Sequence, residues 1–234
     1  MLTLENVTLK QGDFTLNADL LVEAGQKVAI IGPSGGGKST LLNAIAGFVD
    51  PVAGRILFDG HDISTDPPGH RPISILFQDN NLFPHLNVRQ NVALGVNPSL
   101  RLSAADEARV QQALAKVGLE GYGDRKPAAL SGGQQSRAAL ARVLVRAKPV
   151  VLLDEPFSAL GPALKEEMLD LVAALVKDTG ATLLMVTHDP DDALRISDQT
   201  IMVADGVAHA PVDTKHLFAN PPQPLRDYLG DSGT

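Results

Sequence analysis

The sequence predicts an α/β protein with a mainly parallel sheet, antiparallel edge strands and one helical insertion. Three observations predict it. Short apolar runs at Lys27–Ile31, Ile73–Phe77, Val150–Leu153, Thr182–Thr187 and Thr200–Ala204 alternate with segments of helical periodicity, the pattern of helices packed on a parallel sheet. Val150–Leu153 and Leu183–Val186 are apolar at every position, as strands covered on both faces are. From residue 83 to 148 no strong strand pattern occurs and helical spacing takes over. The chain therefore reads as one domain over 1–234. Its core is 1–82 with 149–234, and a helical subdomain occupies 83–148.

The elements follow in order. Lys27–Ile31 is rich in β-branched residues and ends at Gly32. After a glycine-rich stretch, Leu41, Leu42, Ile45 and Phe48 are spaced as one face of a helix. Ser103-x-x-Asp106 opens a second helix, whose apolar face is Val110, Ala113, Leu114 and Val117 and whose stop is Gly118. Ser131 is placed to cap a third, running through Ala138, Ala141 and Val145. A fourth has Pro162 in its first turn, continues through Leu164, Met168, Leu171, Val172 and Leu175, and ends at Gly180. Asp205-Gly206 reads as a hairpin turn at the sheet edge. The tail from Asn220 (Asn-Pro-Pro-Gln-Pro) reads as irregular.

Bulk properties narrow the function. A hydrophobic fraction of 44% over 234 residues supplies a real core. The net charge of −7, with no Lys/Arg cluster, argues against nucleic-acid binding. Without cysteine there is no disulfide and no thiolate metal site. No apolar stretch approaches the ~18 residues of a membrane span, so the chain is not expected to form a channel or carrier itself.

Gly32, Pro33, Ser34, Gly35, Gly36, Gly37, Lys38, Ser39 and Thr40 fit G-x-x-x-x-G-K-[ST] without a mismatch. The motif sits where its chemistry needs it, after a strand and before a helix. Backbone N–H groups then cradle a phosphate chain at a helix N-terminus. Lys38 is placed to reach the β- and γ-phosphates, and the Ser39 hydroxyl to ligate Mg²⁺. Asp154 and Glu155 close an apolar strand at its C-terminal end, where open α/β sheets bind ligands. Asp154 suits a water-mediated Mg²⁺ contact, and Glu155 suits polarising a water that attacks the γ-phosphate.

Leu130-Ser131-Gly132-Gly133-Gln134 resembles the signature of ATP-binding cassette (ABC) ATPases, a P-loop NTPase family. Gln78 in Leu76-Phe-Gln-Asp79 resembles the family's Q-loop, which senses Mg²⁺ or the attacking water. His188 in Val186-Thr-His-Asp189 resembles its switch histidine, and Pro156–Leu160 the loop between its catalytic Glu and its dimer contact. The resemblance spans essentially the whole chain. It implies ATP and Mg²⁺ as cofactors, and hydrolysis at composite sites in a head-to-tail homodimer. One subunit supplies Lys38, Gln78, Glu155 and His188 for catalysis, with Ser39, Gln78 and Asp154 toward Mg²⁺. The other supplies Ser131, Gly132, Gly133 and Gln134. It further implies a separate transmembrane permease docked near Gln78–Leu86, a periplasmic solute-binding protein engaged indirectly, and a peripheral place on the cytoplasmic face of the bacterial inner membrane. Leu82, Phe83 and Leu86 read equally as docking residues or as subdomain core.

More narrowly, Phe77–Phe83, Leu94-Gly-Val-Asn-Pro98, Phe157-Ser-Ala-Leu160, Pro162-Ala-Leu164 and Leu183–Val186 resemble the ATPases of bacterial thiamine importers, implying transport of thiamine or its phosphates. Import of another small solute, or a nucleotide-gated soluble protein with weak turnover, are the alternatives. Three departures stand out. Leu9–Gly12 lacks the family's adenine-stacking aromatic, and Phe14 is the nearest ring. Gly161 stands where the dimer-contact loop usually has Asp. Gln135-Ser136-Arg137 replaces the common Arg-Gln-Arg.

Overall fold

Near the N-terminus, Leu2, Leu4, Val7 and Leu9 face inward, as do Leu16, Ala18, Leu20 and Val22. The computed structural model, which describes residues 1–79 and 81–229, pairs these residues as an antiparallel hairpin. Its strands are β1 (Leu2–Gln11) and β2 (Phe14–Val22). A bulge after Leu4, with Asn6 at φ +47°, shifts the alternation by one residue.

The chain then runs β3 (Lys27–Ile31), α1 (Lys38–Ala46), β4 (Ala53–Phe58), β5 (His61–Asp62) and β6 (Ile73–Leu76). Three helices follow: α2 (Val88–Ala93), α3 (Ala104–Lys116) and α4 (Gly132–Leu144). Next come β7 (Val150–Asp154), α5 (Pro162–Thr179), β8 (Thr182–Val186), α6 (Pro190–Ile196), β9 (Gln199–Ala204), β10 (Val207–Ala208) and β11 (Val212–Asp213). The C-terminal part ends with α7 (Thr214–Ala219) and α8 (Gln223–Leu229).

The strand order is β5-β4-β1-β2-β10-β9-β3-β8-β7-β6, with β11 pairing β9. Strands β9, β3, β8, β7 and β6 are parallel. The antiparallel part is larger than edge strands: β5, β4, β1 and β2 form a wing. In β1 the bulge interrupts the period of two that marks a half-buried strand.

Burial explains the apolar runs. In β7, Val150 and Leu152 face the cluster built with α1, while Val151 and Leu153 face the cluster of α2–α5. β8 divides the same way, Leu184 and Val186 against Leu183 and Met185. Helices α2, α3 and α4 lie between β6 and β7, which are sheet neighbours. Ser103 caps α3 in a reciprocal box with Asp106.

Three expectations need correction. The Asp205-Gly206 turn does join two antiparallel strands, β9 and β10, but these lie inside the sheet order between β3 and β2, not at its edge. Phe48 does not belong to the α1 face. The helix ends at Ala46, Gly47 turns the chain at φ +90°, and Phe48 is 54% exposed. The tail is not irregular either, because α8 forms within it. Pro222 lies just before α8 and Pro224 in its first turn, where a missing N–H costs nothing. Leu225 is buried against Ile31, Met202, Ala204 and Leu217.

Candidate active site

The stretch after β3 folds over itself before α1 begins. Gly36 N–H donates to Pro33 O, and Lys38 Nζ donates to the carbonyls of Gly32 and Pro33 at 2.7 and 3.0 Å. Burial lowers the Lys38 pKa, and the nearby carboxylates Glu155 and Asp154 oppose that. Gln11, Phe14, Ser34, Gly35, Lys38 and Glu155 line an open cleft of about 460 Å³ that Gly37, Ser39 and Thr40 complete. Gly37, at φ +104°, lets the Phe14 ring approach: a Cβ there would sit 2.7 Å from Phe14 Cζ. Phe14 therefore stands at the loop itself. Gln11 occupies the end of β1, where Thr40 Oγ1 donates to Gln11 Oε1 at 3.3 Å.

Strand β7 delivers the two carboxylates. Ser39 Oγ donates to Asp154 Oδ1 at 3.2 Å. Burial raises the Asp154 pKa; Ser39 and Lys38 oppose this, while Glu155 adds to it. A hydroxyl beside paired carboxylates fits a hard divalent cation that takes its other ligands from water and phosphate. Among the described residues, no group of three or more His, Asp or Glu could hold a metal by itself. At Glu155 the chain turns abruptly, with φ +43°. Such a conformation costs on the order of 1–3 kcal/mol in a non-glycine residue, and the Glu155 N–H bond to Val186 O at 3.1 Å helps to fix it.

His188 follows β8. Its Nδ1 lies 3.0 Å from Glu155 Oε2. The flanking residues are tied down. Thr187 N–H donates to Ile30 O, and Thr187 Oγ1 to Asp192 Oδ2. Lys165 Nζ bridges Asp189 at 2.5 Å and Asp192 at 2.8 Å. Burial opposes the Lys165 charge, but hydrogen bonds to Asp189 and Asp192 outweigh it and raise the pKa. Nothing local in the sequence marks Lys165, which meets this loop only through the packing of α5 on α6.

Gln78 is exposed, two residues beyond β6. Leu76 stands opposite Leu153 in the parallel register, so Gln78 leaves the sheet at the same C-terminal strand end as Asp154 and Glu155. Ser131, Gly132, Gly133 and Gln134 do not line the phosphate-loop cleft. Ser131 caps α4 in a reciprocal box with Gln134. Gly133 sits against α5, where a Cβ would meet Leu164 at 2.5 Å. Gly161, at the N-cap of α5, supplies no side-chain cap.

Residues 16–158 match a family model described as ABC transporter. The chain is 61% identical over 98% of its length to the thiamine import ATP-binding protein ThiQ of Cereibacter sphaeroides, all of which is covered. It is 56% identical, over 98% of the chain and all of the relative, to the protein of that name from Ruegeria sp.. Among solved structures it resembles a post-hydrolysis dimer of the ATP-binding cassette MJ0796 bound to ADP and Pi, with TM-score 0.78, 33% identity, and coverage of 92% of this chain and 99% of that one. It also resembles cbiO1 from Clostridium perfringens, part of the ABC transporter complex cbiONQ, with TM-score 0.82, 32% identity, and coverage of 94% and 90%. The chain belongs to the ABC transporter family.

Proposed function

We propose that this chain is the ATP-hydrolysing subunit of a bacterial importer for thiamine or its phosphates. One observation carries the ATPase reading: Ser39 meets Asp154, and His188 meets Glu155, beside one phosphate loop. The solute rests on relatives named for thiamine import.

Gly32–Thr40 hold the triphosphate, with Lys38 released from the Gly32 and Pro33 carbonyls onto the β- and γ-phosphates. Ser39 and Asp154, with Gln78, would hold Mg²⁺, which would supply charge neutralisation on the phosphates. Glu155 accepts the proton of the attacking water. The water oxygen bonds to the γ-phosphorus as the bridging oxygen leaves with ADP. His188 orients the γ-phosphate. Positioning and charge carry most of the rate in such a reaction.

Ser131, Gly132, Gly133 and Gln134 serve the site of a second copy, in a head-to-tail homodimer. Their place outside their own chain's cleft supports this reading, as does the dimeric MJ0796 relative. Residues 83–148 act as a helical subdomain on the core of 1–82 and 149–234. No helix of the described residues is long and apolar enough to cross a membrane. By analogy with the relatives named for thiamine import, a separate permease carries the solute, with this chain peripheral on the cytoplasmic face. A groove of about 340 Å³ lined by Phe48, Phe77, Phe83, Arg142 and Arg146 offers its docking place. There Phe48 and Phe83 are 54% and 46% exposed. Leu82 packs on the helical core instead.

The test is ATP-driven uptake into vesicles containing the chain, its permease and its binding protein. Thiamine-dependent hydrolysis lost in Glu155→Gln is the expected result. Hydrolysis indifferent to thiamine discards the solute, and no hydrolysis discards the ATPase.

A further inference from the structure

Helix α8 reaches the active site from outside the motifs. Leu225, 1% exposed, anchors it against Ile31, the residue immediately before the phosphate loop, and against Met202 and Ala204 of β9. The Tyr228 ring packs on the same cluster. One turn beyond the anchor, Tyr228 Oη donates to His188 O at 2.9 Å. His188 in turn contacts Glu155. A three-member chain thus runs from α8 through the His188 peptide to the carboxylate that acts on water.

We propose that Tyr228 is a positioning residue for ATP turnover, holding the His188 backbone so that its imidazole stays within reach of Glu155 and the γ-phosphate. The inference rests on the ATPase reading given above.

Three features support it. The His188 side chain is 55% exposed, so its own packing does little to fix it. Its neighbours are fixed on both sides. Thr187 is bound to Ile30, and Asp189 to Lys165. The His188 carbonyl lies between these anchors, and Tyr228 is the donor it meets. Tyr228 is also kept as a donor. Burial, then the nearby Glu155 and Asp189 carboxylates, raise its pKa above the ordinary tyrosine value, so the hydroxyl keeps its proton at neutral pH. Catalysis by a positioned group is sensitive to small displacements. Because the hydrogen bond goes to the backbone, the ring remains free to turn between Glu155 and a bound phosphate.

The test is Tyr228→Phe, which removes the hydroxyl and keeps the ring, in the full chain with ATP and Mg²⁺. We expect kcat to fall about threefold to tenfold, the range set by one hydrogen bond of ordinary net strength. KM for ATP stays within twofold, because the triphosphate is held by the loop. In the nucleotide-free protein labelled with ¹⁵N-histidine, the His188 ring signals, assigned with His188→Gln, shift in Tyr228→Phe. A purely structural role for the hydroxyl predicts a lowered melting temperature with unmoved His188 signals. That result, or unchanged kcat in an active wild type, overturns the proposal. Absence of hydrolysis by the wild-type chain counts against the ATPase reading instead, and the His188 signals then decide the tether alone.

Discussion

Arg71 offers a prediction whose size comes from the structure. Its side chain is fully buried. Nη1 donates to the carbonyls of Ala44 and Ile45 in the last turn of α1, at 2.7 and 2.9 Å. Nε donates to Asp66 O and Nη2 to Ser64 O, both at 2.8 Å. A cation thus closes the C-terminal end of the helix that follows the phosphate loop, where the helix dipole favours it. Arg71→Met keeps most of the volume and removes all four bonds. Each hydrogen bond to a charged group contributes about 1.5–3 kcal/mol. The sum overstates the loss, because the guanidinium's own desolvation disappears with it. Ala44 O also keeps its bond from Gly47 N–H. The Ile45, Asp66 and Ser64 carbonyls lose this donor, at about 1–3 kcal/mol for each one left unsatisfied, and with the desolvation relief the net destabilisation comes to about 3–5 kcal/mol. At about 2–4 °C per kcal/mol for a chain of this size, the melting temperature falls by roughly 6–20 °C. Urea and thermal unfolding of wild type and variant measure it. A loss under about 1 kcal/mol would refute the idea that Arg71 carries this helix end.

Lys38→Ala removes the ammonium that faces Asp154 and Glu155; ATP affinity should fall at least tenfold by titration calorimetry, and unaltered affinity would remove Lys38 from the phosphate site. Lys165→Met should give a pH-dependent loss of stability. Burial works against the Asp189 charge, but its bonds to Lys165 and Asp191 prevail and hold its pKa below the ordinary carboxylate value. The stabilisation is therefore complete above that value and is lost as pH falls through the folded pKa. The gap between the unfolding curves of wild type and variant should be full at neutral pH and shrink as pH falls through and below the ordinary carboxylate range, and a gap independent of pH would contradict the pairing. At Gly161 the backbone is extended, with φ −68°, and a Cβ there meets nothing. Gly161→Asp should cap α5 and stabilise it by a few tenths of a kcal/mol, a rise of about 1 °C by calorimetry; a fall would show that the N-cap geometry is not as described.

Much of the site can be read in the sequence because its parts are local. The phosphate loop, the caps at Ser103 and Ser131, and the apolar runs of β7 and β8 each depend on neighbours a few residues away. What escaped depends on distant partners. Arg71 reads as an ordinary surface cation until α1 is packed beside it. Lys165 reads as one charge on an amphipathic helix, and only the α5–α6 contact gives it Asp189 and Asp192. Tyr228 follows a proline-rich stretch that resembles a loop, and burial of Leu225 is what turns that stretch into a helix at the active site. The missing adenine aromatic points to Phe14 only as the nearest ring and gives Gln11 no role. In the structure both line the cleft, Phe14 against Gly37 and Gln11 on Thr40.

In the proposed mechanism Glu155 takes the proton of the attacking water at a site that binds ATP without it. The most direct measurement is single-turnover hydrolysis and ATP binding on the same preparations of wild type and Glu155→Gln. The expected result is ATP affinity within a few fold of wild type and hydrolysis reduced by at least a hundredfold, the lower range for loss of a general base. Hydrolysis near the wild-type rate in Glu155→Gln, with ATP bound, would contradict it.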